Sequence, residues 1–426
     1  MRSAVHVLAI GLAALVAVPA RAGTILYATA ASQQRVDGFC VLGNGGLAPT
    51  PAVSRATAGI EPRRLLVAGG ILYVAELNQV QAFAIGPHGG LQNMCNAGTR
   101  RNQGCSTDNN DPATGCPGAT CPKCCVGFGT EVLTKKQTGN NMEAVDLTTS
   151  PDGNLLYVAE RGPDQVVAYA IPLGSEAPLT SCVQGQSNAD YLALAVHAGM
   201  LYAAAAGAIR GVEVFVLNPD GSLPAPPGNC IRSGPKQTRS APTVPLSCRK
   251  RLERPRGMVI DETSNILYAE DKVQSRILAF KLQPDGTFSP APLNCTQSSQ
   301  KKKEQQKPLN KTEVVAAYQS LLLTRSTLFG IQFEHGRIDA YPLQSDGKLS
   351  QRPTLESADV RMTPVRGAIN GNVLYLGGGE LDGVRAFRLR DSDGMLAGTN
   401  FFSATDSQPG SFPNDVAVAV VSDTCP

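Results

Sequence analysis

The chain contains no tryptophan and only four histidines. The first absence removes the usual stacking platform for sugar rings. The second leaves only His6, His88, His197 and His335 for imidazole chemistry. A serine–histidine–acid triad has no recognisable scaffold here. Charge of one sign is also lacking: 38 lysines and arginines against 35 acids leave a formal +3. So nearly neutral a chain argues against nucleic acid as its main partner. Beyond residues 1–22, no apolar run approaches the ~20 residues of a membrane-spanning helix. Helical periodicity is scarce too; in the segment from Asn310 to Leu323 the apolar end reads as a strand.

What the chain does have is a repeat. A leucine–aromatic pair recurs seven times, at Tyr27, Tyr73, Tyr157, Tyr202, Tyr268, Phe329 and Tyr375. Each is followed 10–13 residues later by a second aromatic: Phe39, Phe83, Tyr169, Phe215, Phe280, Tyr341 and Phe387. Successive first aromatics lie 46, 84, 45, 66, 61 and 46 residues apart, so the base period is near 45. That is the length of a four-stranded propeller blade. Repeat five is the plainest, with strand A in Pro255–Asp261, B around Tyr268 and C in Arg276–Leu282. Asp285-Gly286 then makes a tight turn, and strand D follows. The turn returns as Gly45-Gly46, Gly89-Gly90, Asp220-Gly221, Asp346-Gly347 and Asp393-Gly394; repeat three carries Gly174-Ser175-Glu176 instead. The fold expected is all-β, a seven-bladed propeller over 23–426, with inter-blade insertions at 95–138, 230–252 and 295–312. The chain opens on strand B of blade one, and the stretch from Pro413 reads as the missing strand A. Pairing the two would close the ring and protect its edges.

Residues 1–22 read as a secretory signal peptide: Arg2, an apolar core from Val5 to Val18, and Ala20-Arg21-Ala22 as the cleavage site. Loss of Arg2 and Arg21 would bring the charge to about +1. In an exported chain, most of the 12 cysteines are expected in disulfides. Cys40 near the end of strand C and Cys425 past the last strand fall on one rim, which predicts a Cys40–Cys425 clasp. Cys230 and Cys248 bracket the second insertion and are expected to pair. The other cysteines fall in D-to-A connections on the opposite rim: Cys95, Cys105, Cys116, Cys121, Cys124, Cys125, Cys182 and Cys295. Cys121-Pro-Lys-Cys124-Cys125 admits a zinc site with Cys116, a redox motif or a disulfide-stapled loop. Export favours the last, and neither metal nor cofactor is expected.

In a propeller of this strand order, the start of strand A and the end of strand B face the channel mouth. The ligand-binding candidates there are Arg64, Glu76, Glu160, Tyr191, Asp271, His335 and Asp415. Arg63, Arg161, Glu380 and Asn414 fall at the same level. A ring of arginines and carboxylates can hold an anionic or polyhydroxyl ligand through bidentate bonds. It can equally be an ion-pair network lining a water-filled channel. Basic runs at 249–254 and 301–307 join the insertions on the opposite rim. Asn294-Cys-Thr296 and Asn310-Lys-Thr312 are glycosylation sequons.

The seven L-Y-V-A-like repeats, the second aromatics and turns such as Ser150-Pro-Asp-Gly resemble the seven-bladed lactonase-type propellers. That family includes 6-phosphogluconolactonase, the muconate-lactonizing enzymes and repeats like those of YVTN surface proteins. The resemblance covers essentially all of 23–426. It implies a channel-mouth site built from histidines and arginines. The family's P-R-H is Pro255-Arg256-Gly257 here, and its H-P-H-S segment is replaced by Asn141-Met-Glu143-Ala. Its acid after strand B is matched approximately, by Glu270 or Asp271. Arg256 and Arg366 could hold an oxyanion, and Glu143 is the candidate to activate water. Two functions are therefore expected. The first is an exported, monomeric binding or surface-recognition propeller with a small-molecule or extracellular partner. The second is a lactone hydrolase using Glu143, Arg256 and Arg366. The lost histidines and the three insertions favour the first.

Overall fold

The computed structural model describes residues 23–57, 61–77, 80–93, 143–161, 165–171, 182–184, 190–206, 211–223, 231–232, 252, 255–289, 291–297, 318–332, 336–350, 353, 355–359, 364–378, 383–398, 400–405 and 413–425. They form seven four-stranded antiparallel sheets. Blade five shows the plan: A is Met258–Asp261, B is Ile266–Asp271, C is Arg276–Lys281 and D is Asn294–Gln297. The one helical element among the described residues is a 3-10 turn at Ala31–Gln33. None of their helices is long and apolar enough to cross a membrane.

The ring closes as the sequence predicts. Val416–Val421 lies against Gly23–Ala30, on the side opposite Arg35–Cys40. Cys40 and Cys425 form a disulfide across this closure, with Cα atoms 5.7 Å apart.

The B strands explain why the leucine–aromatic signal is so legible. Ile71–Ala75, Leu155–Arg161 and Ile266–Asp271 are buried along almost their whole length. A strand covered on both faces reads as a continuous apolar run rather than an alternating one. The core is correspondingly divided. Seven apolar clusters fill the seven junctions, each drawing on two consecutive blades.

The repeated tyrosine and the repeated turn glycine are two halves of one lock. Tyr27 Oη donates to Gly89 O of the next blade at 2.7 Å. Tyr157 does the same to Gly221, Tyr202 to Gly286, Tyr268 to Gly347 and Tyr375 to Gly45, at 2.5–2.8 Å. Burial pushes the phenols of Tyr157, Tyr202 and Tyr375 up to about 12, so they remain donors at neutral pH. Blade six has Phe329 instead, without a hydroxyl. Ser326 Oγ and Thr327 Oγ1 take over, donating to Asp393 O at 2.6 and 2.8 Å. The turn glycine fits because it lacks a side chain. Gly45 has φ +79°, and a Cβ there would come within 2.6 Å of Val373 Cγ2 on the preceding blade.

Strand D begins later than the sequence suggests. After the Asp285-Gly286 turn only an isolated bridge forms, Leu282 with Phe288. The ladder resumes at Asn294, because the chain must return along strand C before its backbone meets Ala279. Cys182 and Cys295 therefore sit on outermost strands rather than in the connections beyond them. Cys295 is itself disulfide-bonded. The leader 1–22 and the insertion 95–138 with its cysteines lie outside the described residues, as do Cys230, Cys248, the 301–307 basic run, Asn310, His335 and Glu380.

Candidate functional site

The inner strands share one register, which defines a single level of the channel mouth. In every blade it is the residue opposite the position two after the first aromatic. Arg64 faces Ala75, Asp146 faces Ala159, Ala193 faces Ala204, Ser320 faces Ile331 and Arg366 faces Gly377. Asp415 and Gly257 complete the level through backbone bonds of 3.0 Å from Thr29 N and Glu270 N. Blades seven, one, two and three thus contribute Arg366, Asp415, Arg64 and Asp146 in succession. Blades four, five and six contribute only Ala193, Gly257 and Ser320.

The four charges form one network. Arg64 pairs with Asp146 at 2.6 Å and with Asp415 at 3.1 Å. Arg366 reaches past blades one and two to Asp146 at 3.4 Å. Both carboxylates also tie neighbouring blades together. Asp415 accepts Leu65 N–H and Asp146 accepts Leu194 N–H, each at 2.8 Å. Desolvation pulls the Arg64 guanidinium down, but Asp146 and Asp415 outweigh it and its pKa is raised. For Arg366 the balance reverses. Desolvation and then Arg64 lower it, Asp146 and Asp415 only partly compensate, and Arg256 adds to the crowding. Burial raises Asp415 against the opposing pull of Arg64 and Arg366.

Arg256 stands one residue above this level on blade five. Its Nη1 donates to Gln319 Oε1 of blade six at 2.8 Å, and its backbone N–H donates to Glu270 Oε2 at 2.9 Å. Glu143 lies further out on the rim, where its carboxylate bridges Arg63 and Arg161. Arg161 also faces Asp190 at 3.5 Å. The structure thus places Arg64, Arg256, Arg366 and Asp415 in one neighbourhood and Glu143 in another.

The remaining candidates are occupied differently. Asp271 is fully buried and takes both Arg276 Nε, at 2.9 Å, and Nη2, at 2.8 Å. Tyr191 is fully buried with its hydroxyl on Glu213. Glu76 and Glu160 are buried at the ends of their B strands. Asp146 and Gln319 belong to the mouth but escape a reading of the sequence. A count from the strand starts passes over both, because the inner strands bulge between Ala144 and Asp146 and between Tyr318 and Ser320. Asn294 of the first sequon is committed to the fold, its amide bonding both ways with the backbone of Leu349.

No protein-family model matches the sequence, and no curated protein matches it. Solved structures do match in shape. A protein from Lactobacillus plantarum superposes with a TM-score of 0.64 at 12% identity, covering 93% of this chain and 99% of its own. The periplasmic gluconolactonase of Pseudomonas aeruginosa gives 0.62 at 14% identity, covering 94% and 99%. A putative 6-phosphogluconolactonase from Bacteroides fragilis gives 0.61 at 12% identity, covering 93% and 98%. The chain shares the seven-bladed fold of lactonase-type propellers; identities this low carry the fold alone.

Proposed function

We propose that this propeller is an exported binding protein that takes a small anionic, hydroxylated ligand at the channel mouth. The observation that carries the reading is Arg366. Its side chain is only 15% exposed. A guanidinium has five N–H donors, yet among the described residues Arg366 has a single acceptor, an Asp146 oxygen already shared with Arg64. A half-buried cation with so few protein partners keeps donors turned to the channel, where a ligand can take them. A carboxylate or phosphate matches the guanidinium fork, and Arg256 beside it supplies a second donor set. Ligand hydroxyls would find Gln319 and Ser320 at the same level.

Binding is preferred to hydrolysis because of Glu143. Its carboxylate is held on the rim by Arg63 and Arg161, so the candidate base does not stand beside Arg256 and Arg366, the groups that would hold an oxyanion. Export is supported by the leader-like residues 1–22 and by the Cys40–Cys425 disulfide, which suits an oxidising compartment.

The test is calorimetric titration of residues 23–426 with gluconate and 6-phosphogluconate, beside a hydrolysis assay on the matching lactones. Arg366→Ala and Arg256→Ala are expected to weaken binding by at least about tenfold, and Glu143→Gln to leave it unchanged. Lactone turnover that Glu143→Gln abolishes would replace this reading with a hydrolase. Failure of the wild type to bind either anion would remove it.

A further inference from the structure

Two blades solve the same local problem with different chemistry. In blade one the position two after the first aromatic is Thr29. Its N–H donates to Asp415 O at 3.0 Å, and its Oγ1 accepts the N–H groups of Asn414 and Asp415 at 2.8 and 3.1 Å. The clamp fixes the lead-in to strand A. In blade five the equivalent residue is Glu270. Its N–H donates to Gly257 O at 3.0 Å, and its Oε2 accepts Arg256 N–H at 2.9 Å. One hydroxyl oxygen therefore suffices for the clamp. Glu270 brings a second oxygen, Oε1, which is buried and has no partner among the described residues.

That second oxygen makes the clamp ionisable, directly under Arg256. Glu270 is fully buried. Burial pushes its carboxyl up to about 8, opposed by Arg256 N–H and the Arg256 charge and reinforced by Asp271. Among the described residues, the charged and titratable groups of the surrounding elements are these. Strand A contributes Arg256. Asp271, next along strand B, is paired with Arg276 of strand C. The start of blade six contributes the neutral Gln319 and Tyr318, whose hydroxyl is bonded to Asp339 at 2.6 Å.

Among the described residues of this level, the charge then depends on one proton. Arg64 and Arg366 pair with Asp146 and Asp415, and Arg256 adds its charge beside Arg366, three cations against two anions. With Glu270 neutral the mouth keeps one positive charge, centred where Arg256 meets Arg366. With Glu270 ionised that charge is cancelled.

We infer that Glu270 is a positioning residue that also gates the site: it holds Arg256 in place and, by gaining or losing its proton, switches the channel mouth between an anion-accepting and a neutral state. This rests on the anion-binding reading above. A bound anion would in turn disfavour ionisation of Glu270, so ligand and proton bind cooperatively.

The test compares wild type with Glu270→Gln, whose amide oxygen can still accept Arg256 N–H but cannot ionise. Gluconate affinity is measured at about pH 6.5 and about pH 9, a range over which its own carboxylate stays ionised. Wild-type affinity is expected to fall about tenfold between the two, and Glu270→Gln to bind at both as the wild type does at the lower. Infrared spectroscopy without ligand supplies the second readout. A protonated-carboxyl band that is lost only as pH rises past about 8 should be present in the wild type and missing in Glu270→Gln, which keeps only the Glu160 band, lost near pH 7. No such band, or an affinity whose pH dependence is the same in both proteins, overturns the inference. The band without gluconate binding at either pH instead overturns the anion-binding reading, and the gating with it, while leaving a protonated Glu270 established.

Discussion

Glu160, next to last in strand B of blade three, is almost wholly buried, with Gln165 as its side-chain partner and Oε1 unpaired among the described residues. At the same place in blade five Asp271 faces Arg276, so its charge is matched. Blade three sets the neutral Gln165 opposite Glu160. Burial therefore raises the Glu160 carboxyl to about 7, with the Gln165 bond opposing it. A carboxyl raised on folding binds its proton more tightly in the native state. Stability accordingly declines as pH climbs from the ordinary carboxylate range to about 7, and levels off above. Glu160→Gln is expected to match the wild type near pH 5 and to exceed it by on the order of 2 kcal/mol at pH 8, read from urea denaturation at each pH. Such assignments were only partly legible beforehand. Arg64, Arg366 and Asp415 follow from their place at strand starts. Asp146 does not, because the inner strand bulges between Ala144 and Asp146 and moves the count by one residue. The same irregularity between Tyr191 and Ala193 turns Tyr191 away from the mouth and onto Glu213. A bulge leaves no compositional mark, so Glu143 and Tyr191 were the residues that simple counting selected.

At the scale of the element, the junction between blades is a hydroxyl meeting a turn carbonyl. Both partners stand out in the sequence as repeats. Their pairing does not, since within the continuous chain they lie 62 to 84 residues apart and belong to successive repeats. Removing the Tyr268 hydroxyl leaves Gly347 O without its 2.6 Å donor in a buried junction. Tyr268→Phe should cost about 1 kcal/mol. Gly45→Ala should cost more, about 1–3 kcal/mol, because it adds strain at positive φ to a 2.6 Å approach to Val373 Cγ2. Denaturation midpoints of the two variants would rank these effects; an equal loss would mean that the turn relaxes around the new methyl. Phe329 shows that the lock tolerates rewiring when neighbouring hydroxyls reach the turn through the carbonyl one residue earlier, Asp393 O.

For the whole molecule, the decisive contact is the one that turns an arc of sheets into a ring. The clasp joins residues 385 apart, so in the chain-entropy view it restricts the unfolded chain by roughly 3–5 kcal/mol. Cys40→Ser with Cys425→Ser, measured beside the oxidised wild type, is expected to lower the urea midpoint accordingly; an unchanged midpoint would show that the strand ladder closes the ring unaided. Seven blades and this closure could be read from the sequence, because apolar runs, turn pairs and the orphan strand recur at fixed intervals. Where the outer strands begin could not, since a short outermost ladder is set by its neighbour rather than by its own composition. The closing strand also imposes an order in time. Gly23–Ala30 is the first described strand to be synthesised, and one of its two neighbours, Val416–Val421, is the last. Until that final segment emerges, the opening sheet carries a raw hydrogen-bonding edge that any other extended chain can occupy. A nascent copy is therefore open to mispairing until Val416–Val421 has emerged, and that one strand decides whether the sheets made before it are sealed or left open.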